Sequence, residues 1–283
     1  MKAAKVDDLR ISISQIKDLP TIPLVLTRIL DLVEDHNSTI QDLERAILSD
    51  QSITAKVLRL ANSAFYGFPK KITTISKAII LIGFNSVKNI AIGVSVFAAF
   101  QHRDGKGAEE IASGWAHAVA VAYGAKMLAT KFGYAKPEEA FVGGLLHDIG
   151  KMILIHSNYE QYSCVLEATA AAGESQLAIE RELLGGTHPE IGQILGVQWQ
   201  LPDSLIACIH LHHTPDQVSR HQELVRIVSL SNRLAHDESI SPEEVALPAY
   251  SGGALSLSRQ HVERFRENMK RYSDEMQTFF NGG

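Results

Sequence analysis

The run Phe141-Val142-Gly143-Gly144-Leu145-Leu146 is apolar and then gives way at once to His147-Asp148-Ile149-Gly150-Lys151. An apolar helical turn that ends this way carries an imidazole and a carboxylate toward an interior, where each is costly unless a partner satisfies it. A metal ion satisfies both together, since imidazole and carboxylate are matched ligands for divalent transition metals. For an isolated dipeptide, a hydrogen-bonded His-Asp pair at a helix end is the commoner reading. The rest of the chain shifts that balance. His117 lies upstream, and His188, His212-His213 and Asn232 follow, each inside or at the edge of an apolar segment.

A chain of 283 residues suffices for one large domain or two ordinary ones, and 45% apolar with 21% charged residues is a globular balance. The two cysteines, Cys164 and Cys208, allow neither a disulfide framework nor a cysteine-rich zinc finger, so a reducing, cytoplasmic compartment is expected. Met1 to Asp8 has no apolar core of the kind a signal peptide needs. The longest apolar runs, Ile79 to Ile82 and Ile90 to Phe100, are interrupted by Gly83, Asn85, Lys88 and Gly93 and are too short to cross a bilayer. No membrane association is expected.

Helical periodicity dominates. Pro20 and Pro23 mark a helix start, after which Leu26, Ile29, Leu30 and Val33 form a stripe. Asn37-Ser38-Thr39 offers an N-cap to a second helix, and Asp50 or Ser52 caps a third with Ile53, Val57, Leu58, Leu60 and Ala61 inward. Tyr66-Gly67-Phe68-Pro69 is a break, Thr74 to Leu81 a fourth helix ending at Gly83, and Ser86 to Phe100 a long apolar fifth. Further helices are predicted over Glu109 to Phe132, Pro137 to Leu146, Asn158 to Ala172, Pro202 to His213 and Gln222 to His236. Thr187 and Glu190 have capping-box spacing around Pro189, which puts His188 on a first turn. A loop holding Ser251-Gly252-Gly253 leads to a charged amphipathic helix, Ser258 to Phe280, suited to packing or dimerisation, so a homodimer is an open alternative. No alternating run suggests a sheet. The expected class is all-α, with an N-terminal helical part over residues 1–103, a metal-site bundle over 104–239, and a C-terminal loop and helix over 240–283.

Net charge is −5, but Gln51 to Arg103 holds no Asp or Glu while Lys56, Arg59, Lys70, Lys71, Lys77, Lys88 and Arg103 supply seven positive charges. Such a patch suits an acidic protein, a nucleotide or nucleic acid, and equally a solvated helical face. Phe65, Tyr66 and Phe68 are too few to make a stacking platform. The two helices around Asp50 superficially suggest a helix-turn-helix, but their apolar stripes already account for them as packing elements. No nucleic-acid partner is therefore expected.

Five of the twelve histidines, one Asp and one Asn thus form an ordered series: His117, His147-Asp148, His188, His212-His213, Asn232. The series resembles the HD superfamily of metal-dependent phosphohydrolases, and His-Asp-Ile-Gly-Lys is close to the form found in its HD-GYP branch. The resemblance implies that His117, His147 and Asp148 hold one metal, that Asp148, His188, His212 and His213 hold a second, and that Lys151 faces a bound phosphate or other anion. One or two ions of iron, manganese, nickel or zinc suit these ligands. Asp148 and Lys151 are the candidate catalytic residues. Asn232 stands where the family's closing Asp would be, which removes a negative charge and should weaken the first metal. After His213 comes Thr214-Pro215-Asp216-Gln217-Val218, without a Gly-Tyr-Pro motif, so cyclic di-GMP hydrolysis is not expected.

Leu19-Pro20 with Pro23, Ser49-Asp50-Gln51-Ser52-Ile53-Thr54, Leu58-Arg59-Leu60-Ala61-Asn62-Ser63 and Ile75 to Gly83 are similar to the HDOD domain, an HD-related output module of bacterial signalling proteins. The resemblance implies a signalling role through a partner protein or a small anionic or phosphorylated ligand rather than turnover. Metal-dependent phosphohydrolysis of a nucleotide or phosphoester is the alternative, and a nucleic-acid-binding regulator the second.

Overall fold

The computed structural model describes residues 21–34, 37–63, 66–100, 107–172, 175–236, 246–248 and 254–281. Pro20, Phe65, Arg103 and Ser251 to Gly253 lie outside them. Five helices come first: α1 (Leu24–Glu34), α2 (Ile40–Leu48), α3 (Gln51–Ala61), α4 (Ile75–Ile82) and α5 (Phe84–Ala98). Local chemistry fixes their starts. Thr39 and Asp42 close a capping box on α2, Asp50 accepts from the Ile53 N–H at 3.0 Å on α3, and Thr74 accepts from Lys77 N–H at 3.2 Å on α4. Asp50 rather than Ser52 is the cap. Gly83, at φ +93°, both ends α4 and opens α5, so α5 begins at Phe84 and buries Ser86 within its first turn.

The Asn62 side chain clamps the chain after α3. Its Nδ2 donates to Leu58 O (2.7 Å) and Ile72 O (2.8 Å), and its Oδ1 accepts from Ile72 N–H (2.7 Å). The side-chain amide thereby satisfies the backbone of Ile72, which is buried and cannot turn to water. The stripes of α2 and α3, including Leu43, Ile47, Ile53 and Val57, are buried in the core, while Leu58 is half-buried.

α6 (Ala108–Phe132) and α7 (Pro137–Leu146) pack against each other, and α7 also packs on α5. A Cβ at Gly144 would stand 2.8 Å from Ala122 Cα, so only glycine permits this crossing. The next helix, α8 (Ile149–Ala172), begins nine residues before the Asn158 start expected from sequence. With no proline between Asp148 and Asn158, the chain leaves the His-Asp turn directly into a helix whose first turns bury Ile149, Met152, Ile153 and Ile155. Then follow α9 (Gln176–Leu184), α10 (His188–Gln198), α11 (Asp203–Leu211), α12 (Gln222–His236) and α13 (Arg259–Asn281). Between α12 and α13 lies an antiparallel ribbon of Ala246–Pro248 and Ala254–Ser256, three residues a strand and too short for sequence alternation to reveal. The fold class is all-α, as expected.

One apolar cluster extends from Val25 on α1 to Tyr272 on α13. Tyr123 is fully buried, its hydroxyl 3.2 Å from Ser63 Oγ and its ring 4.4 Å from Tyr272, so α6 is tied to the end of α3 and to α13. No described helix is long and apolar enough to cross a membrane.

Candidate metal centre

The cluster is assembled from five helices. α6 supplies His117, the ends of α7 and α11 supply His147-Asp148 and His212-His213, the start of α10 supplies His188, and α12 supplies Asn232. Asp148 sits at its middle and turns its two oxygens to two different groups. Oδ2 lies 3.3 Å from His147 Nε2 and 3.8 Å from His117 Nε2, while Oδ1 lies 3.2 Å from His188 Nε2 and 3.4 Å from His212 Nε2. His213 Nε2 completes the second group at 3.3 Å from His188 Nε2. In each group the candidate donor atoms lie within 4.8 Å of one another. Every residue of the ordered series is thus brought to one place, with Asn232 Oδ1 2.9 Å from His117 Nε2.

The other face of each buried ring is occupied. His147 Nδ1 faces Gly144 O at 2.7 Å, and His212 Nδ1 faces Ile209 O at 2.9 Å. A carbonyl can only accept, so these contacts assign the proton to Nδ1 and leave the Nε2 lone pairs turned toward Asp148. His188 Nδ1 lies 2.9 and 2.8 Å from the two oxygens of Glu180, whose carboxylate also accepts from the His188 backbone N–H at 2.8 Å. His147, His188 and Glu180 are completely buried and Asp148 is 3% exposed. Lys151, in the first turn of α8, donates to Asp148 Oδ2 at 2.7 Å.

Within this buried cluster, His147 Nε2, His212 Nε2 and Asp148 Oδ1 make no hydrogen bond. Buried polar atoms are rarely left so. His212 Nε2 and Asp148 Oδ1 belong to one donor group and His147 Nε2 to the other, and each atom carries a lone pair that a cation can take. Burial opposes the Asp148 anion, but His147 and Lys151 outweigh it and hold the carboxyl well below its usual range. Burial lowers His212 to about 4, against the pull of Asp148, so near neutrality the ring offers a lone pair.

Packing explains why these side chains meet. A Cβ at Gly150 would lie 1.9 Å from the His188 carbonyl oxygen, and one at Gly192 would lie 3.2 Å from Gly150 N. The glycine of His-Asp-Ile-Gly-Lys is therefore the seat on which α10 rests, and it sets His188 beside Asp148. Sequence reasoning missed Glu180, although Leu177, Glu180 and Leu184 share one helical stripe and a carboxylate among leucines was the signal. His236 was missed as well: its ring lies against that of His117, tilted by 34° with centroids 4.2 Å apart. His210 is half-buried, His156 is half-buried with its ring edge against Phe100, and His221 and His261 are exposed.

Fold and cluster together define an all-helical protein with an HD-type His/Asp site. The profile of the HDOD domain family matches residues 19–215, more than half of the chain, and the chain belongs to that family. A solved HDOD domain protein of unknown function from Geobacter sulfurreducens is 24% identical, with a TM-score of 0.76 over 97% of this chain and 94% of its own. A structure from Shewanella amazonensis, provisionally named a phosphohydrolase, is 24% identical with a TM-score of 0.70 over 94% and 95% of the two chains. These likenesses concern the fold. An uncharacterized protein of Treponema pallidum is 26% identical over 220 residues, which are 77% of this chain but only 42% of that relative.

Proposed function

We propose that this chain is a bacterial, cytoplasmic HDOD signalling module whose His/Asp cluster holds a divalent transition metal and works by binding a ligand or partner rather than by turnover. The observation that carries this is the two-sided Asp148, with imidazoles gathered on each oxygen and three donor atoms lacking hydrogen bonds. In this reading residues 1–103 are the N-terminal part of the module, 104–239 bear the metal, and 240–283 are a C-terminal addition.

His188, His212, His213 and Asp148 Oδ1 would form the stronger site, iron, manganese, nickel and zinc all suiting such donors. His117, His147, Asp148 Oδ2 and Asn232 would form the weaker one. Two features separate them. Lys151 already occupies Asp148 Oδ2 with a cation, and Asn232 brings a neutral oxygen. Bound metal would supply a Lewis acid for an anionic group. The chain's own part is to fix the donor atoms: Glu180 holds His188, the carbonyls of Gly144 and Ile209 hold His147 and His212, and burial keeps water off the Asp148 carboxylate.

The second reading is a phosphohydrolase acting on a nucleotide or phosphoester, favoured by the bridging disposition of Asp148. A phosphoester panel assayed with manganese or iron separates the two. The binding module gives no turnover above that of Asp148→Ala, whereas a hydrolase gives turnover that this variant loses.

A further inference from the structure

A cavity of about 470 Å³ opens where α5 meets the beginnings of α7 and α11, and none of the cluster residues lines it. Its size is that of a small-molecule site. From α5 come Asn85, Lys88, Asn89 and Ile92, spaced to share one helical face. The opposite wall is made by the first turns of α7 and α11, with Val142 and Leu205 behind them. Ile92, Val142 and Leu205, all buried, add apolar side chains to the lining.

The polar groups on α5 are unused. The side chains of Asn85, Lys88 and Asn89 make no hydrogen bond or ion pair among the described residues, although Lys88 and Asn89 are half-buried. Burial pulls the Lys88 ammonium below its ordinary range, with Glu139 acting against this only through space. Of the two carboxylates in the wall, Glu139 is engaged through both oxygens, while Glu138 keeps one buried oxygen, Oε2, without a hydrogen bond. Glu138 pairs with Lys126 at 2.5 Å, and Glu139 accepts from Ser204 Oγ at 2.6 Å and Tyr134 OH at 3.2 Å. Lys136, 3.8 Å from Glu139, adds a second cation at the rim. Lys88 also belongs to the acid-free stretch that the cluster does not involve.

We propose that this cavity is a second ligand site, for a small organic anion with an apolar body and a carboxylate or phosphate head, the head meeting Lys88 and Asn89 and the body lying against Ile92 and Val142. The site is independent of the metal reading. Isothermal titration of the full chain with 3-phenylpropionate, phenyl phosphate, inorganic phosphate and the neutral 3-phenylpropanamide tests it. At least one of the two aromatic anions binds saturably at one per chain and more tightly than inorganic phosphate, and the amide does not bind. Which anion wins tells a carboxylate from a phosphate site. Lys88→Met weakens binding by about tenfold or more, the loss expected of one charge-assisted hydrogen bond. Asn89→Leu gives a second, separate loss, and Asp148→Ala leaves binding unchanged. Failure of both anions to bind, equal binding of the amide, indifference to both α5 substitutions, or loss of binding in Asp148→Ala overturns the proposal; the last outcome would place the anion at the His/Asp cluster instead.

Discussion

At the scale of single residues, Glu180 is the informative position. Its carboxylate belongs to neither donor group but grips His188 through both Nδ1 and the backbone N–H. Such outer partners typically change metal affinity 10- to 100-fold when altered, because they fix the ring's tautomer and orientation and raise its basicity. Glu180→Gln is expected to weaken metal uptake by about that amount in a chelator competition while the helical circular dichroism is unchanged. Proton linkage gives a second expectation. The His212 ring is lowered from 6.5 to about 4, so between these values the unfolded chain binds a proton that the native metal-free protein does not. Stability of the metal-free protein therefore falls as pH drops through that window, and His212→Asn flattens the slope in urea melts. Asp148, held low by His147 and Lys151 against burial, acts in the same sense at more acid pH: its contribution is complete above 3.8 and is lost below it. The ligand candidates were legible because five of the twelve histidines sit inside or at the edge of apolar segments. Glu180 was not, because Gln176 to Leu184 is charged enough to pass for a surface helix.

At the scale of elements, glycines and one amide carry what periodicity leaves out. Helix periods locate α2, α3, α6 and α7 well, since each buries one stripe or is apolar nearly throughout. They give no information on how closely two axes approach, and so the α8–α10 crossing at Gly150 and Gly192 was invisible. Gly150→Ala must push His188 away from Asp148. It is expected to cost about 1–3 kcal/mol in denaturant and to reduce metal uptake together with it. Asn62 belongs to a family-like motif whose role the sequence did not disclose, and its clamp on Ile72 is structural. Asn62→Ala leaves the buried Ile72 N–H and C=O unpaired, which should cost about 1–3 kcal/mol in urea unfolding. Metal uptake by the folded fraction should be normal, in contrast to Gly150→Ala. The missed start of α8 has a local cause as well. A His-Asp pair looks like a helix end, but here both residues keep the chain turning into Ile149.

At the scale of the whole molecule, two short helices link the features that matter. α7 and α11 each begin at the cavity beside α5 and each end in a pair of cluster residues, so the N-terminal helices and the candidate metal centre share two rigid connectors. The imidazoles gathered on Asp148 are the proposed metal centre. Elemental analysis by mass spectrometry, on protein purified without chelator or nickel resin, tests this most directly, with Asp148→Ala and His188→Ala prepared in parallel and their folding checked by melting. We expect the native chain to carry bound transition metal, or to take it up on addition, and both variants to lose it. A native chain that holds none and binds none on titration would contradict the account.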